Sequence, residues 1–258
     1  MRRFHVFELE DQPWFPARIR DYMTDYLQFV SDRFGLFDRA APVLVDLLER
    51  SGQTTILDLG SGGGGPWRSL AASVGETVPS VTIVLSDLYP NEEALAKTAA
   101  ADPRIRVASE PVDATSVPDH LSGIRTQFLS MHHFRPKAAA RILGDAVDQQ
   151  MPVAVFEAQK RDVAHLVQFA LSPIGVLLMT PLIRPFDPLR LLFTYLVPIV
   201  PLCVLWDGVI SVLRTYSPEE MLEIAHRADP TGSFDWRVEV EGGKTTVVWL
   251  AGLPRESS

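Results

Sequence analysis

Cysteine is nearly absent: Cys203 is the only one in 258 residues, and it lies in apolar sequence. A single thiol excludes an intrachain disulfide framework and a Cys-x-x-Cys metal or redox pair, and it fits a reducing, cytoplasmic setting. Positive charge is short as well, with 24 Lys and Arg against 32 Asp and Glu and a net charge of −8. No basic stripe is available to neutralise phosphates and release counterions, so nucleic acid is not expected as a partner. The start, MRRFHVFELEDQPW, has no apolar run behind its two arginines and does not read as a secretory signal. His-Glu-x-x-His and Gly-x-Ser-x-Gly are both missing, and His5, His120, His165 and His226 are scattered. Hydrolysis and metal-dependent transfer are therefore poorly supported, and no metal is expected. Internal repeats and low-complexity tracts are lacking too.

What is present is 47% hydrophobic sequence, enough for one large domain with an added cap. Residues 13–50 carry apolar positions at helical spacing (Ile19, Tyr22, Met23, Tyr26, then Leu44, Leu47, Leu48) and read as two or three helices, an N-terminal cap over 1–50. From Thr54 short apolar runs alternate with helical stretches such as 91–100 and 136–149: TTILDLG, SVTIVLSD, RIRVASEPVD, IRTQFLSM and PVAVFEA. Strands alternating with helices predict an α/β fold with a parallel sheet. Near the end, FDWRVEVEGGKTTVVWLAGLP reads as a hairpin about Gly242-Gly243, with an antiparallel last strand. An uncharged run from Val163 to Ile183 and another from Leu191 to Trp206 interrupt the alternation, and they mark an apolar helical insertion at about 160–216 within a domain spanning 51–258.

The stretch ILDLGSGGGGP, 56–66, admits two readings. As Gly60-x-Gly62-x-x-Gly65 it is a dinucleotide fingerprint. As Asp58-x-Gly60-x-Gly62-x-Gly64 it is a loop for a sulfonium cofactor. Either way the glycines allow a tight turn and close backbone approach, and a helix opened at Pro66 points N–H groups at the ligand. Asp58 favours the second reading: beside a pyrophosphate it would repel, whereas it can accept from the amino group of a methionine moiety. It can also serve as a turn-forming cap of the loop. Asp87 ends the next strand and can grip both ribose hydroxyls in either cofactor class, and Asp113 follows the strand after that, where it can accept from an adenine amino group or simply form a turn. Glycine loop, Asp87 and Asp113 thus follow consecutive strands, on the carboxyl edge where open α/β sheets bind ligands.

Through LDLGSGGGG, LSDLYP, PVDA, FLSMHHF, VAVFEA and the terminal hairpin, residues 54–254 resemble the class I S-adenosylmethionine (SAM)-dependent methyltransferases. The resemblance implies a Rossmann-like, seven-stranded, mostly parallel sheet with an antiparallel last strand. It implies SAM as cofactor and S-adenosylhomocysteine as product. Asp58, Gly60, Gly62 and Gly64 would hold the methionine part, Asp87 the ribose and Asp113 the adenine, with Ser61, Leu88, Ala114 and Ser130 beside them. It fixes no substrate.

Methyl transfer needs a nucleophile held in line with the methyl carbon, and an oxygen or nitrogen acceptor needs a base. His132 and His133, in SMHHFRP, follow the fourth strand. Small-molecule O-methyltransferases with a His-Asp-Trp turn at this point use its His as base, which maps onto His132; His133 then stands in the Asp position and Phe134 in the Trp position, a departure from the pattern. Packing or capping is an equal role for either His. Glu157, ending the fifth strand, is placed to orient a histidine or the substrate, or to be solvated.

The insertion is expected to form a lid over an apolar or aromatic acceptor, or a surface that dips into a bilayer to collect a lipid or quinone-like acceptor, or a core-completing or homodimer surface. A membrane association would modify the cytoplasmic expectation. Trp206, Arg214 and Tyr216 flank the last lid helix as polar points in an apolar region, and Trp14 and Phe15 stand as pocket aromatics or as ordinary packing residues. Ser217-Pro218-Glu219-Glu220 reads as a helix start with a capping box. A cofactor-binding interaction protein without transfer is the reading from another class.

Overall fold

The computed structural model describes residues 1–242 and 246–255. The chain divides into two compact units, a sheet unit of Gly35–Ala158 with Ser217–Ser258, and a helical unit of Met1–Phe34 with Gln159–Tyr216.

In the sheet unit, α2 (Ala40–Ser51), α3 (Trp67–Thr77), α4 (Glu92–Ala99), α5 (Pro136–Asp148) and α10 (Pro218–Ala228) accompany seven strands found among the described residues. These are β1 (Thr55–Leu59), β2 (Thr82–Ser86), β3 (Ile105–Val107), β4 (Ile124–Phe128), β5 (Val153–Glu157), β6 (Phe234–Glu241) and β7 (Val247–Pro254). Their order is β3-β2-β1-β4-β5-β7-β6. The first five are parallel, and β7 runs antiparallel between β5 and β6. The strand order switches sides between β1 and β4, with β2 and β3 added on one side and β5 on the other, so the ligand crevice of such a sheet lies at the carboxyl ends of β1 and β4. Gly243 of the expected hairpin turn lies outside the described residues; the two strands it was expected to join do pair, from Phe234 with Pro254 to Glu241 with Val247.

The strand sequences explain their places. All five residues of β4 and of β5 are buried, as in central parallel strands covered by helices on both faces. β6, at the sheet edge, carries Asp235, Arg237, Glu239 and Glu241 at every second position, which keeps that edge from pairing further. One face of the sheet packs Ile56, Ile83, Leu85, Phe128 and Phe156 against Leu44, Leu48, Trp67 and Leu70 of α2 and α3. At its centre Phe128 stacks on Phe156 at 4.8 Å and meets Phe37 and Trp67 edge-on. The other face collects Leu57, Leu59, Val112, Val117 and Ile142.

This packing corrects the expected boundary at residue 50. α2 belongs to the sheet unit because its apolar stripe fills the main core; the cap is α1 (Ala17–Phe34) alone, and it shares a unit with the insertion. The insertion itself, expected at about 160–216, comprises α6 (Val163–Ala170), α7 (Ser172–Met179), α8 (Pro188–Leu191), a π-helical turn (Leu192–Leu196) and α9 (Ile199–Arg214). Phe15, Ile19, Tyr22, Met23 and Tyr26 from the N-terminal segment pack with Val176, Ile183, Val200, Cys203 and Val204. Polar ties reinforce that core: Asp207 accepts from the Leu9 and Glu10 N–H groups at 2.6 and 3.0 Å, and Arg214 meets Glu8 at 3.1 Å and Asp11 at 2.8 Å. The helix start at Ser217 forms as expected, with the Ser217 side chain accepting from the Glu220 N–H and the Glu220 carboxylate accepting from the Ser217 N–H.

Arg125 is a polar tie in the sheet unit. Its guanidinium is 1% exposed on β4, donates to Asp145 at 2.8 Å and to Gln149 at 2.7 Å, and Asp145 also accepts from the Val117 N–H. A cation left there without its carboxylate is far costlier than the intact pair is stabilising. Asp145→Ala is therefore expected to lower unfolding free energy by about 3–5 kcal/mol, read as a lower urea midpoint at an unchanged slope.

Candidate functional site

β1 ends in a glycine-rich loop, residues 60–65, built largely on left-handed backbone. Gly60, Gly62 and Gly64 all take positive φ, 68°, 52° and 106°, a region costly for side chains with a Cβ. At Gly64 space is decisive too: a Cβ would lie 2.2 Å from Thr98 Oγ1 on α4. At Gly62 a Cβ would meet nothing within 4 Å, so the backbone there faces open space.

Asp58 organises the loop. Its carboxylate is 1% exposed and accepts from Ser61 Oγ at 2.6 Å and from Thr126 Oγ1 at 2.7 Å. Ser61 and Ser86 then lock the loop to β2: the Ser61 N–H donates to the Ser86 carbonyl, the Ser86 N–H donates to Ser61 Oγ, and Ser86 Oγ donates to the Asp58 carbonyl. The carboxylate expected to accept from a ligand's amino group is thus turned into the loop, as a cap would be. Burial pushes its pKa up to about 6 against the hydrogen bonds from Ser61 and Thr126, which hold it down.

Asp87 joins three segments. One carboxylate oxygen accepts from the Gly62 N–H at 2.9 Å and the other from the Tyr89 N–H at 2.8 Å, while its carbonyl accepts from the Val112 N–H at 3.0 Å. That last bond brings the loop after β3 alongside, and with it Asp113. Asp113 is exposed and closes a turn by accepting from both the N–H and the hydroxyl of Thr115 at 2.8 Å, all on one oxygen. Leu88 is exposed beside Asp87, and Ala114 is buried beside Asp113. Ser130, after β4, lies against Gly60, and its hydroxyl is buried with no hydrogen-bond partner. Gly60, Ser61, Gly62, Asp87, Asp113 and Ser130 are therefore drawn to one edge of the sheet.

His132 and Glu157 meet at the ends of β4 and β5, whose last residues Phe128 and Phe156 are paired. Glu157 accepts from His132 twice, at 2.8 Å involving Nδ1 and at 3.1 Å from the backbone N–H. Both side chains are buried, at 3% and 1% exposed. A carboxylate on Nδ1 fixes the imidazole's orientation and directs Nε2 away from Glu157. The His133 ring lies 4.3 Å from that of His132 at an interplanar angle of 32°.

The residues expected to line a substrate pocket fall in the helical unit. Phe15 is a core residue of that unit, and Trp14 beside it is exposed. Arg214 is engaged by Glu8 and Asp11, and Tyr216 lies buried under the Arg3 guanidinium, 3.9 Å from ring to cation. Trp206 is partly exposed and donates its indole N–H to the Phe7 carbonyl. Phe15, Arg214 and Tyr216 thus have structural partners of their own. Thr126 and Ser86 were missed by sequence reasoning; their signal was polarity at strand positions that are buried.

The raised pKa of Asp58 sets a pH window. Between the unfolded value of 3.8 and the folded value of about 6 the folded chain holds a proton that the unfolded chain has lost. Stability from this group is thus full below pH ~4 and is lost as pH rises through ~6, by up to about 3 kcal/mol. Asp58→Asn is expected to flatten that fall in a series of denaturation curves from pH 4 to 7.

No protein-family model matches the sequence, and no curated protein matches it by sequence. Solved structures do match. An O-methyltransferase family protein from Burkholderia thailandensis aligns with a TM-score of 0.55 at 16% identity, over 94% of this chain and 63% of that one. A plantazolicin methyltransferase solved with S-adenosylhomocysteine aligns at 0.54 and 9% identity, over 93% of this chain and 98% of that one. Human N-acetylserotonin methyltransferase, solved with SAM, aligns at 0.51 and 13% identity, over 98% of this chain and 63% of that one. What is shared at such identities is the fold, and together with the strand order it is the fold of the class I SAM-dependent methyltransferases.

Proposed function

We propose that the chain is a SAM-dependent methyltransferase acting on an oxygen or nitrogen of an apolar or aromatic small molecule in the cytoplasm. The observation that carries this reading is the convergence of the glycine loop, Asp87 and Asp113 on one sheet edge through the Gly62 and Val112 hydrogen bonds. The residues suit the cofactor. Gly62 leaves room for close approach, each Asp87 oxygen keeps a lone pair for a ribose hydroxyl, and the second Asp113 oxygen is available to an adenine amino group. The buried Ser130 hydroxyl has donor and acceptor capacity unspent toward the loop. Asp58 contributes by holding the loop rather than by reaching the ligand. SAM would supply an electrophilic methyl group on a sulfonium.

The work left to the protein is to orient the acceptor and to take its proton. His132, oriented by Glu157, is the group for that second task, because a carboxylate on Nδ1 fixes the ring and leaves Nε2 as the nitrogen that takes a proton. The O-methyltransferase neighbours and the human N-acetylserotonin enzyme support an acceptor of this class.

Calorimetric titration with SAM, S-adenosylhomocysteine and NADH tests the cofactor. Binding of the first two and not of the third is expected, weakened at least about tenfold by Asp87→Ala through loss of a charge-assisted contact. Binding of NADH alone would establish the dinucleotide reading of the loop. With an acceptor found by screening apolar phenols and amines, His132→Ala is expected to lower kcat by about 10²–10⁴-fold while SAM affinity stays unchanged. Equal turnover in wild type and variant would remove His132 from the chemistry.

A further inference from the structure

The helical unit presents an outward face unlike that of a water-exposed helix. Val163, Val167, Leu171, Ile174, Leu178 and Leu182 follow one another at spacings of four, four, three, four and four, a single stripe along α6, α7 and the turn after them. All six are exposed, Val163 at 67% and Leu178 at 69%. A surface helix normally turns this side to water with charged residues, and its apolar side to the core. The core side is already used: Val176 is fully buried, and a Cβ on Gly175 would lie 2.6 Å from the Tyr26 hydroxyl. Only 17% of the most apolar window in Val163–Leu182 is buried. The stripe continues onto the π-helical turn, where Tyr195 donates its hydroxyl to the Leu177 carbonyl and Leu196 is 78% exposed, and on to exposed Leu202.

Charge separates the candidate occupants. From Val163 to Trp206 the exposed polar side chains apart from Tyr195 and Trp206 are Gln168 and Arg184. Arg184 sits between exposed Leu182 and Phe186. No acidic side chain on this stretch is exposed: Asp187 is half-buried, accepting from Tyr22 and the Leu189 N–H, and Asp207 is buried. The helical unit as a whole has ten Lys and Arg against nine Asp and Glu, while the sheet unit has fourteen against twenty-three. The net negative charge of the chain therefore lies wholly outside the unit that bears the apolar face. Trp206 and Tyr195, whose polar atoms are satisfied by the Phe7 and Leu177 carbonyls, are residues favoured where hydrocarbon meets headgroups. A protein partner, a second copy included, needs polar groups across the patch for about one hydrogen bond per 100–200 Å². This face offers almost none.

We propose that the face formed by α6, α7, Leu196 of the π-helical turn and Leu202 of α9 docks in the plane of a lipid bilayer carrying anionic headgroups, with the apolar stripe in the acyl boundary and Arg184 at a headgroup. The stretch Val163–Leu182 is long and apolar enough to cross a bilayer. Crossing is disfavoured because its other side packs against α9, whose unit buries Glu8, Asp207 and Arg214, and a span would carry those charges into hydrocarbon. In-plane insertion keeps them out of it. This inference is independent of the cofactor and of transfer.

Flotation of the full chain with vesicles tests it. The wild type is expected to float with phosphatidylcholine vesicles containing a quarter phosphatidylglycerol, and less with phosphatidylcholine alone. Leu171→Asp with Leu178→Asp, both at exposed positions, should reduce partitioning at least about tenfold on both vesicles, with circular dichroism and melting unchanged. Arg184→Gln should cost about fivefold on the anionic vesicles only. If the wild type stays with neither vesicle, the proposal fails. It also fails if the wild type sediments as a dimer that the double variant dissolves and neither protein floats, which would assign the face to a second copy.

Discussion

A loop that takes left-handed backbone at Gly60, Gly62, Gly64 and Gly65 cannot hold its shape by glycine freedom alone, since glycine is the residue with most entropy to lose. Here the shape is held by a buried acid. Asp58 sits beneath the loop, takes hydroxyl donors from Ser61 and Thr126, and through Ser61 and Ser86 ties the end of β1 to β2 and β4. The arrangement is costly, because desolvation raises the carboxyl to a pKa of about 6. What it secures is a Gly62 N–H aimed at Asp87, and through the Asp87 carbonyl a fixed place for the loop that carries Asp113. The rest of the candidate cofactor surface depends on those few bonds. A site that is laid out in advance loses less entropy on binding.

The two units are stabilised differently. The sheet unit has a dry, layered core in which Phe128 makes three aromatic contacts, and its principal buried charge, Arg125, is matched by Asp145. The helical unit has a smaller apolar core and several polar ties between residues far apart in the chain: Asp207 accepts from the Leu9 and Glu10 N–H groups, and Arg214 pairs with Glu8 and Asp11 and Arg190 with Asp25. Much of its apolar surface stays outside that core. Hydrophobic burial therefore explains the first unit more completely than the second.

Much of the sheet was legible in the sequence because parallel central strands are short apolar runs between turn residues, and TTILDLG, TIVLSD and VAVFEA leave little choice. The glycine loop and the order of Asp87 and Asp113 were legible for the same reason: they sit where strands stop. The pairing of His132 with Glu157 could be suggested because adjacent parallel strands bring their ends together. Other features could not be read. Helical periodicity shows that residues 40–51 have an apolar stripe without showing which neighbour covers it, so α2 was grouped with α1 although its stripe fills the sheet core. The partners of Arg214 lie about 200 residues away, and no local pattern reports such a bond. Asp229 is a further case: it accepts from the Ser233 and Phe234 N–H groups and the Trp236 indole, so it sets the start of β6, yet in sequence it is one more loop acid.

β7 has two neighbours, β5 and β6, and both pairings wait for it. About ninety residues separate the end of β5 at Glu157 from the start of β7 at Val247, and the insertion occupies most of them. At ordinary translation speeds that interval lasts roughly 5–20 s. Throughout it the β5 edge shows bare N–H and C=O groups, and the greasiest part of the chain leaves the ribosome before the strand that would close the sheet exists. Nascent-chain order thus places the aggregation hazard of this protein late in synthesis, when an open strand edge and unburied apolar helices are both on show.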